Sequence, residues 1–152
     1  MSERKYRVGI IGSGRIANAH AQGYQGVDEV EMVAAADPVQ SVLDNFGQQF
    51  GIENRYLDAR EMLAQEDLDI ISVATWHKLH APMTIAACAQ QVKAVLCEKP
   101  MATSLGECNE MMTVAQRNNV KVAIAHQRRF NSAWTDARQL IAEGAIGEPK
   151  QI

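Results

Sequence analysis

The sequence predicts an α/β domain built on a doubly wound parallel sheet, and three observations favour this class. Short apolar segments recur along the chain and alternate with segments of roughly 10–15 residues that have helical periodicity. The apolar segments are hydrophobic nearly throughout, as expected of strands that helices cover on both faces. A glycine-rich turn follows the first of them. A parallel sheet between two layers of helices accounts for all three features.

Five apolar segments are predicted to form strands: residues 6–11, 30–36, 68–75, 92–97 and 120–126. Helices are predicted over residues 14–25, 38–51, 59–65, 81–90, 105–119 and 132–144. Asp58 with Glu61, and Ser104 with Glu107, have the spacing of a capping box at the start of two of these helices. Strands and helices therefore alternate over the whole chain.

Composition excludes several classes of function. The net charge of -3 and an aromatic content of 5% give neither the basic surface nor the stacking side chains of a nucleic-acid-binding protein. No apolar run is long enough for a membrane span or a signal peptide core. Cys88, Cys97 and Cys108 form no CxxC pair, so we expect reduced thiols in a cytoplasmic protein.

The turn after the first strand reads Gly-Ser-Gly-Arg-Ile-Ala over residues 12–17, a G-x-G-x-x-A pattern. Such a turn places phosphates at the N-terminus of the following helix, where free N–H groups and the helix dipole attract them. Between a first strand and a first helix, the pattern predicts a dinucleotide site, although a plain tight turn is the alternative. The predicted cofactor contacts here are Gly12, Ser13, Gly14, Arg15 and Ile16.

Asp37 follows the second predicted strand, where a carboxylate commonly hydrogen-bonds a ribose 2′-hydroxyl. Because Pro38 comes next, Asp37 also suits the N-cap of the following helix, and the two roles are compatible. No arginine follows within residues 38–41 to receive a 2′-phosphate. The sequence therefore favours NAD over NADP.

The third predicted strand ends in a polar loop that contains two histidines. We expect Ala74, Thr75 and His77 to line the cofactor cleft, because ligands of open parallel sheets bind beyond the carboxyl ends of the strands. For His80 three roles remain open: capping the next helix, contact with a ribose, or a structural role. A metal site formed by His77, His80 and Cys97 is disfavoured, since no third ligand is near in sequence.

The fourth predicted strand ends in Glu98, Lys99 and Pro100. A lysine beside a bound nicotinamide could polarise or deprotonate a substrate hydroxyl, so Lys99 is the predicted catalytic residue. Glu98 could orient the ammonium or contact the nicotinamide ribose. The alternative is a solvated Glu–Lys couple on an ordinary turn, which composition alone would favour.

These features together resemble the Gfo/Idh/MocA oxidoreductases, which include glucose–fructose oxidoreductase and inositol dehydrogenase. The resemblance is carried, in order, by the glycine turn, Asp37, the E-K-P of residues 98–100 and the segment "HQRRFNSAWTDARQLIAEGAIGEPKQI". It implies a Rossmann-type NAD(P)-binding domain, with Lys99 in substrate binding and catalysis and Glu98 near the nicotinamide ribose. It also implies that Gln127 and Arg128 lie near the nicotinamide and the substrate entrance.

The resemblance further implies that the natural protein is longer. Family members have about twice this length, and a second α/β domain supplies one wall of the substrate site. We therefore expect residues 1–146 to form the dinucleotide-binding domain and residues 147–152 to begin the second domain. The implied activity is hydride transfer between NAD(P) and a sugar, polyol or related hydroxy compound, with subunits that pair. Alone, the chain should bind cofactor with little turnover; the alternative is a non-catalytic nucleotide-binding module or a truncated gene product.

One departure concerns the loop after the third strand. The family commonly has proline and asparagine where this chain has Trp76 and His77. We therefore expect the nicotinamide side of the site to differ in shape from that of its relatives.

Overall fold

The structure is a computed structural model that describes residues 4–150. Its centre is a sheet of six parallel strands in the order β3-β2-β1-β4-β5-β6. The strands are β1 (Tyr6–Ile11), β2 (Val30–Ala36), β3 (Asn54–Tyr56), β4 (Ile70–Val73), β5 (Ala94–Cys97) and β6 (Lys121–Ile124). The helices are α1 (Arg15–Gln25), α2 (Gln40–Phe50), α3 (Ala59–Gln65), α4 (His80–Ala89), α5 (Leu105–Arg117) and α6 (Ser132–Ala142). Two short 3₁₀ turns cover His77–Leu79 and Gln127–Phe130.

The strand order reverses direction between β1 and β4, which pair from Val8 with Ile70 to Ile11 with Val73. This is the order of a dinucleotide-binding Rossmann sheet, and the crevice at the reversal is where such folds bind ligands. The predicted doubly wound class is therefore confirmed.

Two hydrophobic cores lie on opposite faces of the sheet. Val8 and Ile10 of β1 face α1 and α2, where they pack with Ala17, Leu43 and Phe46. The other face packs against α3, α4 and α5, and its fully buried side chains include Ile71, Val73, Val95, Met62 and Met111. Helices on both faces explain why β1 and β4 are apolar without alternation. Within residues 4–150 no helix combines the length and apolar character that a bilayer crossing requires.

Two elements differ from the sequence-based expectation. The edge strand β3 was not predicted, because its three residues, Asn-Arg-Tyr, contain no apolar run. Helix α2 begins at Gln40 instead of Pro38, because the Asp37 carboxylate accepts the N–H of Val39 and holds this segment in an extended turn. Residues 147–150, which are expected to lead into a second domain, form neither a helix nor a strand, and residues 151–152 lie outside the described part.

Asp69 connects β1, β4 and β5 at their amino-terminal ends, on the side of the sheet opposite the carboxyl ends that carry the predicted site. Its side chain is 8% exposed, and its carboxylate accepts the Arg7 N–H at 2.9 Å and pairs with the Lys93 ammonium at 2.8 Å. Burial alone would raise the pKa of Asp69, but the Lys93 and Arg7 hydrogen bonds and the charges of Lys93 and Arg4 outweigh it. The pKa therefore lies below its ordinary value of 3.8.

We expect Asp69→Asn to lower the free energy of unfolding by about 1–3 kcal/mol at pH 7, because a neutral amide replaces the buried carboxylate that accepts the Arg7 N–H and the Lys93 ammonium. Since the folded-state pKa is depressed, this contribution is present above the unfolded pKa and is lost as the pH falls through the folded value. Urea unfolding at pH 7 and near pH 3 measures both effects. The control is Asp67→Asn, whose carboxylate is 83% exposed and pairs with Arg4; equal losses in the two variants would contradict the argument.

Candidate active site

The predicted site residues all follow the carboxyl ends of the strands, on one side of the sheet. Because all six strands are parallel, their carboxyl ends lie together. The glycine turn follows β1, Asp37 follows β2, Ala74 and Thr75 follow β4, and Glu98 and Lys99 follow β5. His77, Gln127 and Arg128 lie in the two 3₁₀ turns, and His80 is the first residue of α4. The structure therefore brings the sequence-predicted residues to a common edge.

The glycine turn is packed tightly at its first glycine and open at its second. Gly12 has a φ of +90°, and a Cβ there would lie 2.7 Å from the backbone oxygen of Ala74. A Cβ at Gly14 would meet no atom within 4 Å. Gly12 is therefore required for the close contact of β1 with the end of β4, whereas Gly14 leaves room above the turn.

The N-terminus of α1 has the properties of an anion site. Its N-cap, Gly14, supplies no side-chain acceptor, and no acidic residue lies in the first turn. Arg15 instead places a positive charge at the positive end of the helix dipole, which is unfavourable unless an anion is bound there. The Ser13 hydroxyl is buried and has no hydrogen-bond partner within residues 4–150. These donors and the space above Gly14 fit the pyrophosphate of a dinucleotide.

Asp37 connects the glycine turn to the loop before α2. One carboxylate oxygen accepts the Ser13 N–H at 2.9 Å, and the other accepts the Val39 N–H at 2.9 Å. Each oxygen retains lone-pair capacity for a ribose hydroxyl. The side chain is half-buried beside the turn, so the predicted ribose contact and the observed backbone contacts are compatible.

The loop after β4 places polar and aromatic side chains at the surface. Ala74 is buried against the glycine turn, Thr75 is half-buried, and His77 is exposed. The Trp76 side chain is 82% exposed. The Trp76 indole is therefore exposed to solvent in the loop whose shape we expect to differ from that of the relatives.

His80 is buried and faces backbone carbonyl groups of two loops. Its Nδ1 lies 2.6 Å from the Pro100 oxygen and its Nε2 lies 3.0 Å from the Thr75 oxygen. A neutral imidazole has one N–H donor, whereas a protonated ring would donate to both oxygens. Because both ring nitrogens are engaged and the residue is 1% exposed, its side chain is not available to a cofactor in this structure. Of its predicted roles, the structural one is observed: His80 ties the β4 loop to the β5 loop.

The end of β5 separates its two charged residues. Glu98 is 4% exposed, and its carboxylate accepts the N–H of Lys99 at 3.1 Å. The Lys99 side chain is exposed, and its ammonium forms no hydrogen bond or ion pair with any residue of the described range 4–150. The alternative of a solvated Glu–Lys couple is therefore wrong for Glu98. The Lys99–Pro100 peptide bond is cis.

Three residues at this site were not singled out from the sequence. His20 of α1 lies 3.0 Å from Glu98 and 2.6 Å from the Ser72 hydroxyl, and Tyr24 lies beside Ser72. Burial raises the pKa of Tyr24. Two signals could have found them: His20 shares a helix face with buried Ala17, and Ser72 is a polar residue inside an apolar strand.

The segment after β6 is exposed from His126 to residue 150. Gln127 and Arg128 are both exposed in the second 3₁₀ turn, and the Arg128 guanidinium lies 5.8 Å from the centre of the Trp134 ring. Helix α6 contains no buried residue. Three of its large apolar side chains are exposed: Trp134, Leu140 and Ile141. This helix therefore presents an apolar surface that residues 4–150 do not cover.

A phosphate-fitting turn, an acid after β2 and an exposed lysine after β5 are the features of a dinucleotide-binding domain. Comparison with known proteins identifies the family. Residues 6–126 match the Gfo/Idh/MocA family, described as an oxidoreductase family with an NAD-binding Rossmann fold, and the chain belongs to it. The predicted family, fold and nicotinamide cofactor are thereby confirmed.

The similar proteins include two dehydrogenases and an oxidoreductase of known structure. The chain is 29% identical to myo-inositol 2-dehydrogenase of Thermotoga maritima, over 94% of this chain and 42% of that protein. It is 32% identical to D-apiose dehydrogenase of Paraburkholderia graminis, over 96% of this chain and 39% of that protein. A crystal structure of an Agrobacterium radiobacter oxidoreductase in complex with NAD+, L-tartaric acid and magnesium superimposes with a TM-score of 0.87 and 28% identity, over 95% of this chain and 42% of that one. The chain thus spans about two fifths of the length of these relatives.

Proposed function

We propose that the chain is the cofactor-binding half of an NAD-dependent dehydrogenase that acts on a CH–OH group of a sugar, polyol or related hydroxy compound. The observation that carries the proposal is that the phosphate-fitting glycine turn and the Lys99 ammonium lie at the same carboxyl end of the sheet, where the ammonium has no partner among residues 4–150. The names of the relatives support the substrate class, since two of them are dehydrogenases of an inositol and of a sugar.

The residues divide into those that would hold the cofactor and one that would handle a proton. The turn from Gly12 to Ile16 would bind the pyrophosphate, and Asp37 would bind the adenosine ribose. The residues that would line the nicotinamide end are Ala74, Thr75, His77, Gln127 and Arg128. Glu98 would lie near the nicotinamide ribose. Bound NAD supplies a hydride acceptor or donor.

Lys99 would act at the substrate hydroxyl. During oxidation its Nζ, as the neutral amine, would accept the hydroxyl proton, and the ammonium formed in this way would donate a hydrogen bond to the oxygen of the carbonyl product. In the reverse direction the ammonium would return that proton to the oxygen. An exposed lysine without an ion-pair partner is free to do this once a substrate excludes water from the edge.

The whole protein would contain a second domain that completes the pocket. We place the boundary near residue 146, with residues 147–152 leading into that domain, which would also mediate pairing of subunits. The coverage of the relatives and the uncovered apolar surface of α6 support this arrangement. The isolated chain would then bind cofactor with little turnover. A cytoplasmic location is consistent with three free cysteines, of which Cys88 and Cys97 are buried.

Titration of the chain with NADH and NADPH tests the cofactor assignment. NADH should bind at least tenfold more tightly, because Asp37 would repel a 2′-phosphate and hydrogen-bond a 2′-hydroxyl. Asp37→Ala should weaken NADH binding and narrow the gap, and Asp37→Asn should narrow it by removing the charge alone. The matched control is Asp44→Ala on α2, which should leave the ratio unchanged. Equal affinities of the unmodified chain for the two cofactors would refute the role of Asp37, and failure to bind either would refute the proposed function.

A further inference from the structure

A buried row of polar side chains connects α1 to the end of β5. The Ser72 hydroxyl lies 2.6 Å from His20 Nδ1, and His20 Nε2 lies 3.0 Å from Glu98 Oε1. The other Glu98 oxygen, Oε2, accepts the backbone N–H of Lys99 at 3.1 Å. The side chains of His20 and Glu98 are only 7% and 6% exposed, so these contacts are shielded from water.

The chemistry of these groups fixes a single direction of donation for a neutral imidazole. An ionised carboxylate only accepts hydrogen bonds, so the proton between His20 and Glu98 belongs to Nε2. His20 Nδ1 is then an acceptor, and the Ser72 hydroxyl donates to it. Glu98 is thereby held by two donors on its two oxygens: a side chain from α1 and the backbone of Lys99. Every polar atom in the row is used.

Such a row is costly to bury and is therefore informative. A carboxylate in the interior loses several kcal/mol of hydration unless hydrogen bonds replace it. No lysine or arginine pairs with Glu98 within residues 4–150, so His20 is its main side-chain partner. An apolar pair could fill the same space between α1 and the sheet without that cost, as Ala17 and Ala21 do on the same helix. A structural role alone does not explain the choice of a histidine and a glutamate.

The row also links the two halves of the proposed site. Helix α1 begins at Arg15, within the glycine-rich segment, and His20 lies in its second turn. The same helix thus places its N-terminus at the proposed phosphate site and its His20 side chain against Glu98, the residue before Lys99.

We propose that His20 is a positioning residue: it holds the Glu98 carboxylate, and through it the backbone of Lys99, at a fixed distance from the phosphate-binding turn. His20 does not touch substrate or cofactor in this arrangement. The inference rests on the catalytic role of Lys99 proposed above, and it assigns a role to a helix residue that lies beneath the site.

Two substitutions separate the contacts of the ring. His20→Gln places an amide N–H close to the position of Nε2, so it keeps the bond to Glu98 and gives up Ser72. His20→Asn reaches only the position of Nδ1, so it keeps Ser72 and gives up Glu98. Both are polar amides, which makes them matched in chemistry and different in reach. Tyr24→Phe is the control, because it removes a neighbouring hydroxyl without touching the contact between His20 and Glu98.

The first measurement is amide hydrogen exchange of Lys99 in the 152-residue chain, which needs no activity. We expect exchange in His20→Asn to be at least tenfold faster than in the unmodified chain, while His20→Gln and Tyr24→Phe stay within threefold. Amides of β1 report whether the fold is retained. Unchanged Lys99 exchange in a folded His20→Asn chain, or equal acceleration in the Gln and Asn variants, would overturn the proposal. If the Asn variant does not fold, loss of Lys99 protection in a folded Gln variant overturns it as well.

The second measurement uses the longer protein. His20→Asn should lower kcat at least thirtyfold with KM for NAD within threefold, and His20→Gln should recover most of the rate. A rise in KM with unchanged kcat would show that His20 acts on binding and would overturn the positioning role. A fully active Lys99→Ala protein would remove the proposed chemistry instead, and this outcome is distinguishable because the exchange comparison does not depend on it.

Discussion

Replacing Gly12 with alanine is expected to lower the free energy of unfolding by about 2–4 kcal/mol and to abolish measurable NADH binding. Two effects add at this position. A φ of +90° strains any residue with a Cβ, and the Cβ would lie 2.7 Å from the Ala74 backbone oxygen. Backbone cannot swing aside as a flexible side chain can, so the turn must move away from β4. Urea unfolding and NADH titration measure the two losses.

Two other glycines separate these effects. Gly51→Ala has strain without a clash, since Gly51 has a φ of +69° with no atom within 4 Å of a Cβ, and it should cost only about 1–2 kcal/mol. Gly14→Ala has neither, so the stability loss should stay below about 1 kcal/mol, yet the methyl group would occupy the space proposed for pyrophosphate. Binding should therefore fall in Gly14→Ala without unfolding. Unimpaired NADH binding in that variant would remove the turn from the proposed site.

Lys99→Ala is expected to lower turnover of the longer protein by about 10²–10⁴-fold while NADH binding changes less than threefold. The physical reason is that the exposed ammonium has no partner that it stabilises within residues 4–150, so the side chain is free for substrate. Steady-state kinetics together with NADH titration measure both quantities.

The controls for Lys99 test charge and location. Lys78→Ala removes an exposed lysine from the same sheet edge and should leave turnover unchanged. Lys99→Arg keeps a positive charge but cannot exchange a proton near neutral pH, so it should remain impaired. Full activity of Lys99→Ala would exclude Lys99 from the mechanism, and no turnover in the unmodified longer protein would favour a non-catalytic nucleotide-binding module.

Most of the fold could be predicted because burial leaves a direct imprint on sequence. Strands β1, β2, β4 and β5 are apolar since helices cover both faces. Helices α1, α2, α3 and α5 have a side-chain cap or a glycine end, and only α4 among the helices between these strands has neither. The edge strand β3 carries no such imprint, because backbone pairing with β2 defines it and none of its three side chains is fully buried. The predicted start of α2 was also wrong. The Asp37 carboxylate accepts the Val39 N–H, which keeps residues 38–39 out of the helix, and its other oxygen accepts the N–H of Ser13, a residue distant in sequence.

The site could be predicted only where a residue type and a strand end coincide. Gly12, Asp37, Glu98 and Lys99 have local signals, which is why the sequence singles them out as candidates. His20, Ser72 and Glu98 come from three segments, and their hydrogen bonds depend on how α1 lies over β4 and β5. A histidine on the inner face of a helix has many uses, so only the structure shows that it supports the residue next to the predicted lysine.

The exposure of both tryptophans determines what tryptophan fluorescence can measure in this protein. The chain contains two, Trp76 and Trp134, and both are largely in water in the folded state. Their emission is therefore already close to that of the unfolded chain, so denaturation should be followed by circular dichroism. Trp76 lies between Thr75 and His77 at the proposed nicotinamide edge, where energy transfer to NADH would reveal occupancy. Trp134 lies on α6, so its spectral shift would report the covering of that helix by any further part of the protein.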